Sequence, residues 1–470
     1  MLDRFAEKAV ECHSVMVVRR GLIIAEGWWA PYTAGQPHLL YSLTKSFTSI
    51  AVGLAVADGV LSLDDRVVDV LPEHVPADVS EQGRRITVHH LLSMTAGHAA
   101  DSLEDAWTLE PRDLVKGFLR VPFAAEEGTL HTYDNATTFV LARMVERTTG
   151  RNLPDYLDER LFRPMGIDGA EWDRVASGLA FGFHGLHLTT EAVAAFGELL
   201  LSGGQWGGRE LVPRRWVELA TRSHIPSRQY AEGAEATDGA DFLSGYGYQI
   251  WMSRHGFHGN GAFGQHCIVV PAHDLVVVVT SAQREVRQAQ EVLDAVWECL
   301  LPGIDRADAA EDDEALAERL RTLALPPVAG DIGPPGPVAA RLEASSADSA
   351  LPDGILVRLD YANAEGVDNP DDSGPHDCWV GRFGGLFDVV IGRDRWIESS
   401  PLGRPVCAQG AWVDGCFQAD LFVISSPHSI RLTIDARTGT ARATWTTVPL
   451  TGPDLLLHMR APLMTRPDVS

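Results

Sequence analysis

The sequence predicts an α/β protein built as a lobe pair, an antiparallel sheet flanked by helices beside an α-rich lobe, followed by a C-terminal all-β domain. Three observations carry this expectation. β-Branched runs stand near residues 14–29 and 266–282, helical periodicity fills the interval between them, and a Pro/Gly stretch at residues 326–337 precedes a tail of short alternating runs.

In chain order, SVMVVRRGLIIAEGWW (residues 14–29) is two strand-like runs around Arg19, Arg20 and Gly21, a hairpin signal. From 42 to 57, Leu43, Phe47, Ile50, Val52, Leu54 and Ala55 recur at helical spacing, and Gly59 ends the pattern. HHLLSMTAG, TTFVLARMVERTTG and TTEAVAAFGELLLSGG continue the helical signal between Pro and Gly loops, giving the α-rich lobe. HCIVVPAHDLVVVVTSA (266–282) reads as two strands around a turn at 271–274, followed by the helical run REVRQAQEVLDAVWECLL. Strands this far apart are expected to share one sheet. Near residue 305 the composition becomes acidic and helical, and PPVAGDIGPPGP (326–337) reads as an exposed linker. Beyond it, ILVRLDY, CWVGRF, LFDVVIG, ADLFVISS, SIRLTIDARTGTARATW and LLLHMRA suggest an antiparallel β domain, possible as a barrel. The expected division is therefore 1–305, a helix and linker at 306–337, and 338–470.

Composition limits the partners. The 470 residues carry 39 basic against 64 acidic side chains, a formal charge of −25, which opposes nucleic acid and anionic lipid. The apolar run at 49–57 is broken by Asp58, well short of the roughly 18 residues a membrane span needs. MLDRFAEKAVECHS carries Asp3, Glu7 and Glu11 and no apolar core, so a cytoplasmic location is expected rather than export. Cys12, Cys267, Cys299, Cys378, Cys407 and Cys416 form no Cys-x-x-Cys pair and are expected as free, mostly buried thiols.

Lysine is the informative residue type, because only Lys8, Lys45 and Lys116 occur. A Ser-x-x-Lys match is expected about 0.16 times by chance, yet Ser42-Leu43-Thr44-Lys45 opens the first long helix. One helical turn apart, the two side chains meet, and a desolvated amine can take the hydroxyl proton. The competing reading is Ser42 as a helix cap and Lys45 as a solvated surface lysine. Tyr-x-Asn, expected about 0.09 times, occurs twice: Tyr361 and Asn363 fall in the β tail, whereas Tyr133-Asp134-Asn135 lies in a loop before a helix. There the phenol could relay a proton, and Asn135 could bond a substrate carbonyl or Lys45. Gly259-Asn260-Gly261-Ala262-Phe263-Gly264 fits the dinucleotide pattern formally, but it opens a strand and not a helix, so no phosphate cradle is expected. Glycines entering a strand instead let a substrate lie against backbone amides. His255, His258 and His266 lack the spacing of a metal set, and no metal or cofactor is expected.

Taken in order, Ser42-x-x-Lys45, Tyr133-x-Asn135 and a motif ending in Gly261 before a strand resemble the penicillin-recognising serine hydrolases, a group of β-lactamases, DD-peptidases, esterases and nylon-oligomer hydrolases. LSLDDRVVDVLPE, ITVHHLLSMTAGH, LLLSGGQWGGRELVPRRWVELAT and YGYQIW extend the likeness over roughly residues 14–302. The resemblance implies a beta-lactamase-like lobe pair. It also implies Ser42 as acylated nucleophile, Lys45 as base, Tyr133 as proton relay, and the amides of Ser42 and Ala262 as an oxyanion hole. Asn135, His258, Asn260, Gly261 and Ala262 are its substrate-binding candidates. The family's third motif commonly reads Lys-Thr-Gly or His-Thr-Gly, whereas Gly259-Asn260-Gly261 stands here with His258 one place early. That departure favours a small ester or amide over substrates whose carboxylate needs the cation. The rivals are a DD-peptidase or β-lactamase, and a catalytically inactive relative that binds a ligand in the same cleft.

Overall fold

Arg20 and Gly21 both have positive φ, at 52° and 74°, the requirement of a tight two-residue hairpin, and they join strand β1 (Cys12–Arg19) to β2 (Leu22–Trp28). The fold was obtained as a computed structural model that describes residues 1–175, 178–227, 240–285, 288–306, 310–333, 336–364, 376–461 and 464–465.

The helices that matter for the site are α1 (Thr44–Ala57), α2 (Leu103–Leu109), α3 (Asn135–Thr149) and α4 (Thr190–Leu201). Strands β3 (Trp251–Ser253), β4 (Gly256–Gly261), β5 (Gln265–Val270) and β6 (Leu275–Ser281) follow, then α5 (Gln288–Ala295) and α6 (Ala310–Arg321). One six-stranded sheet forms in the order β2-β1-β6-β5-β4-β3. β1 pairs antiparallel with β6, Val15 facing Val279 and Arg19 facing Leu275, so the two ends of the lobe are joined as the strand pattern predicts. Continuous burial along β1, β5 and β6 explains their unbroken β-branched runs, because neither face meets water. α4 lies against β1, β5 and β6, and the Ser14 and Thr190 hydroxyls bond at 2.7 Å beneath it.

Helix α1 is buried from Thr44 through Ala55, which makes it a core helix rather than an amphipathic one. Phe47 stacks on Phe196 at 3.9 Å between ring centroids. Three hydroxyls on α1 each meet a backbone group: Thr44 Oγ1 accepts from Leu186 N at 3.2 Å, Ser46 Oγ donates to Gln249 O at 2.9 Å, and Thr48 Oγ1 donates to Gly182 O at 2.7 Å. A buried hydroxyl without a partner costs about 1–3 kcal/mol, so these bonds hold the 182–186 and 249 segments to the helix.

The C-terminal part is an eight-stranded barrel. Its strands are β7 (Val338–Leu342), β8 (Leu356–Ala364), β9 (His376–Phe383), β10 (Phe387–Gly392), a short extra β11 (Ile397–Ser399), β12 (Val406–Val413), β13 (Cys416–Val423), β14 (Ser429–Asp435) and β15 (Thr440–Trp445). Two antiparallel meanders, β7 to β10 and β12 to β15, are joined by parallel pairings at Arg341↔Thr440 and Gly392↔Gln409, so the expected antiparallel β domain closes into a barrel through two parallel seams. Closure removes the exposed edges that an open sheet would leave. Val357 and Leu359, Phe387, Val389 and Ile391, and Ile430, Leu432 and Ile434 point inward at alternate positions and fill the interior. LLLHMRA is not a strand: Asp454 caps a short helix (Leu455–His458) through Leu456 N at 3.0 Å, which turns Leu455 and Met459 together into the barrel core.

Two compact units divide the described chain, and neither is one continuous stretch. The first holds Met1–Gly27, Leu39–Leu320 and the returning strand Met464–Thr465, which pairs with Arg174–Val175; the second holds Trp28–His38 and Arg321–Leu463. Within the second, Ala30 bridges Ala324, and Tyr32 packs with Leu325, Cys407, Phe422 and Ile424. This differs from the division into consecutive stretches, 1–305, 306–337 and 338–470, suggested by composition, because aromatic packing of an N-terminal segment outweighs its place in the chain. The Pro/Gly stretch is likewise no free tether. Val328 N donates to Gln409 Oε1 at 2.7 Å, Gln409 Nε2 returns a bond to Val328 O at 3.0 Å, and Asp331 exchanges both backbone bonds with Trp412. All six cysteines are free, four of them buried, with Cys299 exposed and Cys416 intermediate. No helix among the described residues is long and apolar enough to cross a membrane.

The Gln409 anchor gives a test. Gln409→Leu removes both bonds to Val328, so it is expected to destabilise the barrel by about 1–3 kcal/mol and to speed limited proteolysis within residues 325–333. Cleavage there as slow as in the unsubstituted protein would show that other contacts hold the segment.

Candidate active site

Ser42 lies in a 3-10 turn (Tyr41–Leu43) immediately before α1, and Tyr41 holds a positive φ of 48°. A non-glycine residue in that region is strained, and the strain sits where the chain turns from Leu40 into the serine. Ser42 is not a cap for α1, whose capping position is Leu43 with no side-chain bond. Lys45, in the first turn of α1, is 1 % exposed, which excludes a solvated surface lysine.

The Lys45 ammonium nitrogen meets three oxygens: Ser42 Oγ at 2.8 Å, Asn135 Oδ1 at 2.7 Å and the Phe183 carbonyl at 3.0 Å. It also lies over the Tyr133 ring, 4.9 Å from the centroid. Tyr133 is stacked on Trp251 at 5.5 Å and 12° and meets Tyr246 edge-on, so its ring is held by the aromatic residues of the YGYQIW stretch. Burial brings Lys45 down from the usual lysine value to about 7, against the opposing pull of the Asp101 and Asp134 carboxylates. An amine in this range exists in both forms near neutrality.

Asp134 caps α3 through Ala136 N at 2.9 Å and also accepts from Ser102 Oγ at 2.8 Å, with His98 Nδ1 at 3.0 Å. The cap places Asn135 at the start of α3, pointing its amide at Lys45. Asp101 completes the cluster. Its carboxylate accepts from Asn135 N at 2.9 Å, from Asn135 Nδ2 at 2.5 Å and from Leu103 N at 3.2 Å. The residue reaches solvent, and its carboxyl is pushed up to about 6, first by desolvation and then by the Asp134 charge.

Strand β4 brings the glycine motif to the serine turn. A Cβ on Gly261 would fall 2.0 Å from the Leu40 carbonyl oxygen, and one on Gly259 would fall 2.2 Å from Leu43 Cδ1. The glycines are therefore required by close approach of strand and turn. Ala262 follows at the partly exposed end of β4, and Phe263, with φ 61°, packs on Tyr41 at 5.1 Å.

Strand periodicity sends His258 and Asn260 to the opposite face, which corrects their expected place beside substrate. His258 is fully buried, with Nδ1 2.6 Å from Ser253 Oγ and its ring edge-on to Phe242; Asn260 Nδ2 lies 3.5 Å from the His266 ring nitrogens. Burial lowers His258 to about 4 and His266 to about 3, so both are neutral near pH 7. His255 instead packs on Trp297, and no group among the described residues could hold a metal ion. The second Tyr-x-Asn match is in the barrel, where Tyr361 pairs with Trp379 on β9.

The family model described as Beta-lactamase matches residues 2–298. The chain belongs to the beta-lactamase family. It is 37 % identical over 132 residues to penicillin-binding protein 4 of Amycolatopsis lactamdurans, covering 27 % of this chain and 33 % of that protein. The chain therefore spans about a third of that relative's length. It is 25 % identical over 291 residues to 6-aminohexanoate-dimer hydrolase of Paenarthrobacter ureafaciens, covering 58 % of this chain and 73 % of that one. The octameric penicillin-binding protein homologue from Pyrococcus abyssi is alike in fold, with a TM-score of 0.51 at 16 % identity over 92 % of this chain and 96 % of its own.

Within this beta-lactamase family chain, two parts of the site carry no sequence signal. Asp101 precedes Asn135 by 34 residues, and AADSLEDAW reads only as the acidic start of a helix. The Phe183 contribution is a backbone carbonyl, which any residue type would supply.

The approach of β4 to the serine turn can be tested by stability. Gly261→Ala sets a Cβ against backbone and is expected to cost about 1–3 kcal/mol. Gly259→Ala, which meets a rotatable Leu43 methyl, is expected to cost less. A wild-type Tm for Gly261→Ala would show that strand and turn are not held together.

Proposed function

We propose that the protein is a serine hydrolase that forms an acyl-enzyme on Ser42 and turns over a small ester or amide. The observation that carries the reading is the buried Lys45 amine, 2.8 Å from Ser42 Oγ, with two carbonyl oxygens as its other partners. A neutral amine has two N–H bonds and one lone pair. Asn135 Oδ1 and Phe183 O can only accept, so they take both N–H bonds and leave the lone pair facing the serine. Lys45 then removes the Ser42 proton as Oγ attacks the substrate carbonyl. The amides of Ser42 and Ala262 receive the developing oxyanion, and Tyr133 passes the proton to the leaving alcohol or amine. Water then attacks the acyl carbonyl, and Ser42 regains its proton.

An ester or amide is favoured over a penicillin or a peptidoglycan peptide because the position facing the serine turn on β4 is Gly259, without a side chain, and the neighbouring His258 is neutral and turned away. A substrate carboxylate has no strand cation to meet. The DD-peptidase or β-lactamase reading rests on the penicillin-binding protein among the relatives. An inactive binding relative would gain nothing from a lysine held near neutrality.

A fluorophosphonate is expected to label Ser42 alone, as read by peptide mass mapping. The labelling rate is expected to rise tenfold per pH unit up to about 7 and then level, because the protonated lysine is not a base and its neutral form accumulates only as pH passes its lowered value. Lys45→Arg keeps the charge but cannot deprotonate, so labelling is expected to fall by about 10²–10⁴-fold. Near-wild-type labelling would remove Lys45 from the base role.

Substrate choice is tested by steady-state kinetics. Short-chain p-nitrophenyl esters are expected to exceed cephalosporins in kcat/KM by at least about tenfold to a hundredfold, the worth of one charged hydrogen bond to a carboxylate. A cephalosporin matching the best ester would favour the β-lactamase reading.

A further inference from the structure

We infer that Asp101 is a positioning residue that fixes which end of the Asn135 amide faces Lys45, and thereby aims the Lys45 lone pair at Ser42. The inference rests on the Lys45 base reading above and extends it by one residue.

An asparagine amide presents an acceptor at one end and donors at the other, and the two ends have nearly the same shape. Nothing about Asn135 alone decides which end meets the lysine. Asp101 decides it. A carboxylate can only accept, and its Oδ2 lies 2.5 Å from Asn135 Nδ2, so the NH₂ end is drawn there and Oδ1 is left 2.7 Å from Lys45 Nζ. With the amide reversed, an N–H would point at the amine. The neutral lysine would then receive a hydrogen bond on its lone pair, and Ser42 would lose its base. Among the described residues, the charged or titratable groups that face the pair are Asp134, held by His98 and Ser102, and Tyr133 beneath the lysine.

The geometry separates this role from helix capping. Asp101 Oδ1 alone serves Leu103 N and Asn135 N, whereas Oδ2 serves the Asn135 side chain. Asp101→Asn can keep the first two bonds with its own Oδ1 while setting an NH₂ against the Asn135 NH₂, which forces one amide to reverse.

The experiment is the pH profile of Ser42 fluorophosphonate labelling in the full chain, with the wild type, Asp101→Asn and the double variant Asp101→Asn/Asn135→Asp compared. Asp101→Asn is expected to lower the plateau rate above pH 7 by about tenfold to a hundredfold. A purely electrostatic role predicts the opposite pattern: an unchanged plateau and a limb moved to lower pH, since removing a negative charge disfavours the lysine cation. In the double variant, residue 135 is again an acceptor toward Lys45 and residue 101 a donor toward it. The plateau is then expected to recover, with its limb at higher pH because the charge now touches the lysine. An unchanged Asp101→Asn plateau, or a loss that the double variant does not recover, overturns the role of Asp101. Wild-type protein that is not labelled at Ser42, or whose labelling has no limb near pH 7, overturns instead the base reading on which it stands.

Discussion

A lysine removed from water is the constraint around which the first unit is organised. Lys45 belongs to a helix buried on every side, so its ammonium cannot reach solvent, and each N–H must find an oxygen inside the protein. Three different segments supply them: the serine turn before α1, the start of α3 and the 180–186 loop. Each segment is fixed independently, the loop by bonds from Thr44 and Thr48, and α3 by the Asp134 cap. The environment works against itself in a useful way. Desolvation disfavours the cation, while Asp101 and Asp134 favour it, and the balance near 7 leaves the amine able to gain or lose a proton where most lysines cannot.

A second constraint is distance. β4 approaches the serine turn so closely that the two positions facing it, 259 and 261, have no room for a Cβ. The same packing that sets β4 against the serine turn therefore removes a side chain from the place where the resemblance expects a cation. Selectivity, on the proposed reading, follows from this packing.

The barrel unit obeys a different logic. Its eight strands close through two parallel seams, the interior is filled by alternating apolar side chains, and the Trp28–His38 segment is fastened to it by Tyr32 and the Ala30 bridge. None of the polar motifs of the sequence other than the accidental Tyr361-x-Asn363 match falls there, and that match is a strand residue paired with Trp379.

What the sequence by itself determined was whatever depends on short-range periodicity. The Arg20-Gly21 hairpin, the helix that carries Lys45 just after Ser42, the helix that Asn135 begins and the paired strands at 265–281 are all readable, because i,i+3 spacing, alternation and turn residues act within a few residues. One turn of helix suffices to bring Ser42 and Lys45 together. The tertiary structure decided everything that needs two distant segments or a choice of face. It turned His258 and Asn260 away from the turn, because a strand's period of two fixes which residues share a face but only a packed neighbour fixes what that face meets. It made a helix of LLLHMRA, tied the Pro/Gly stretch to Gln409 and moved Trp28–His38 into the second unit. It also brought in Asp101 and the Phe183 carbonyl, which have no motif, since a carboxylate or a backbone oxygen acquires its meaning only from the group that folding places opposite it.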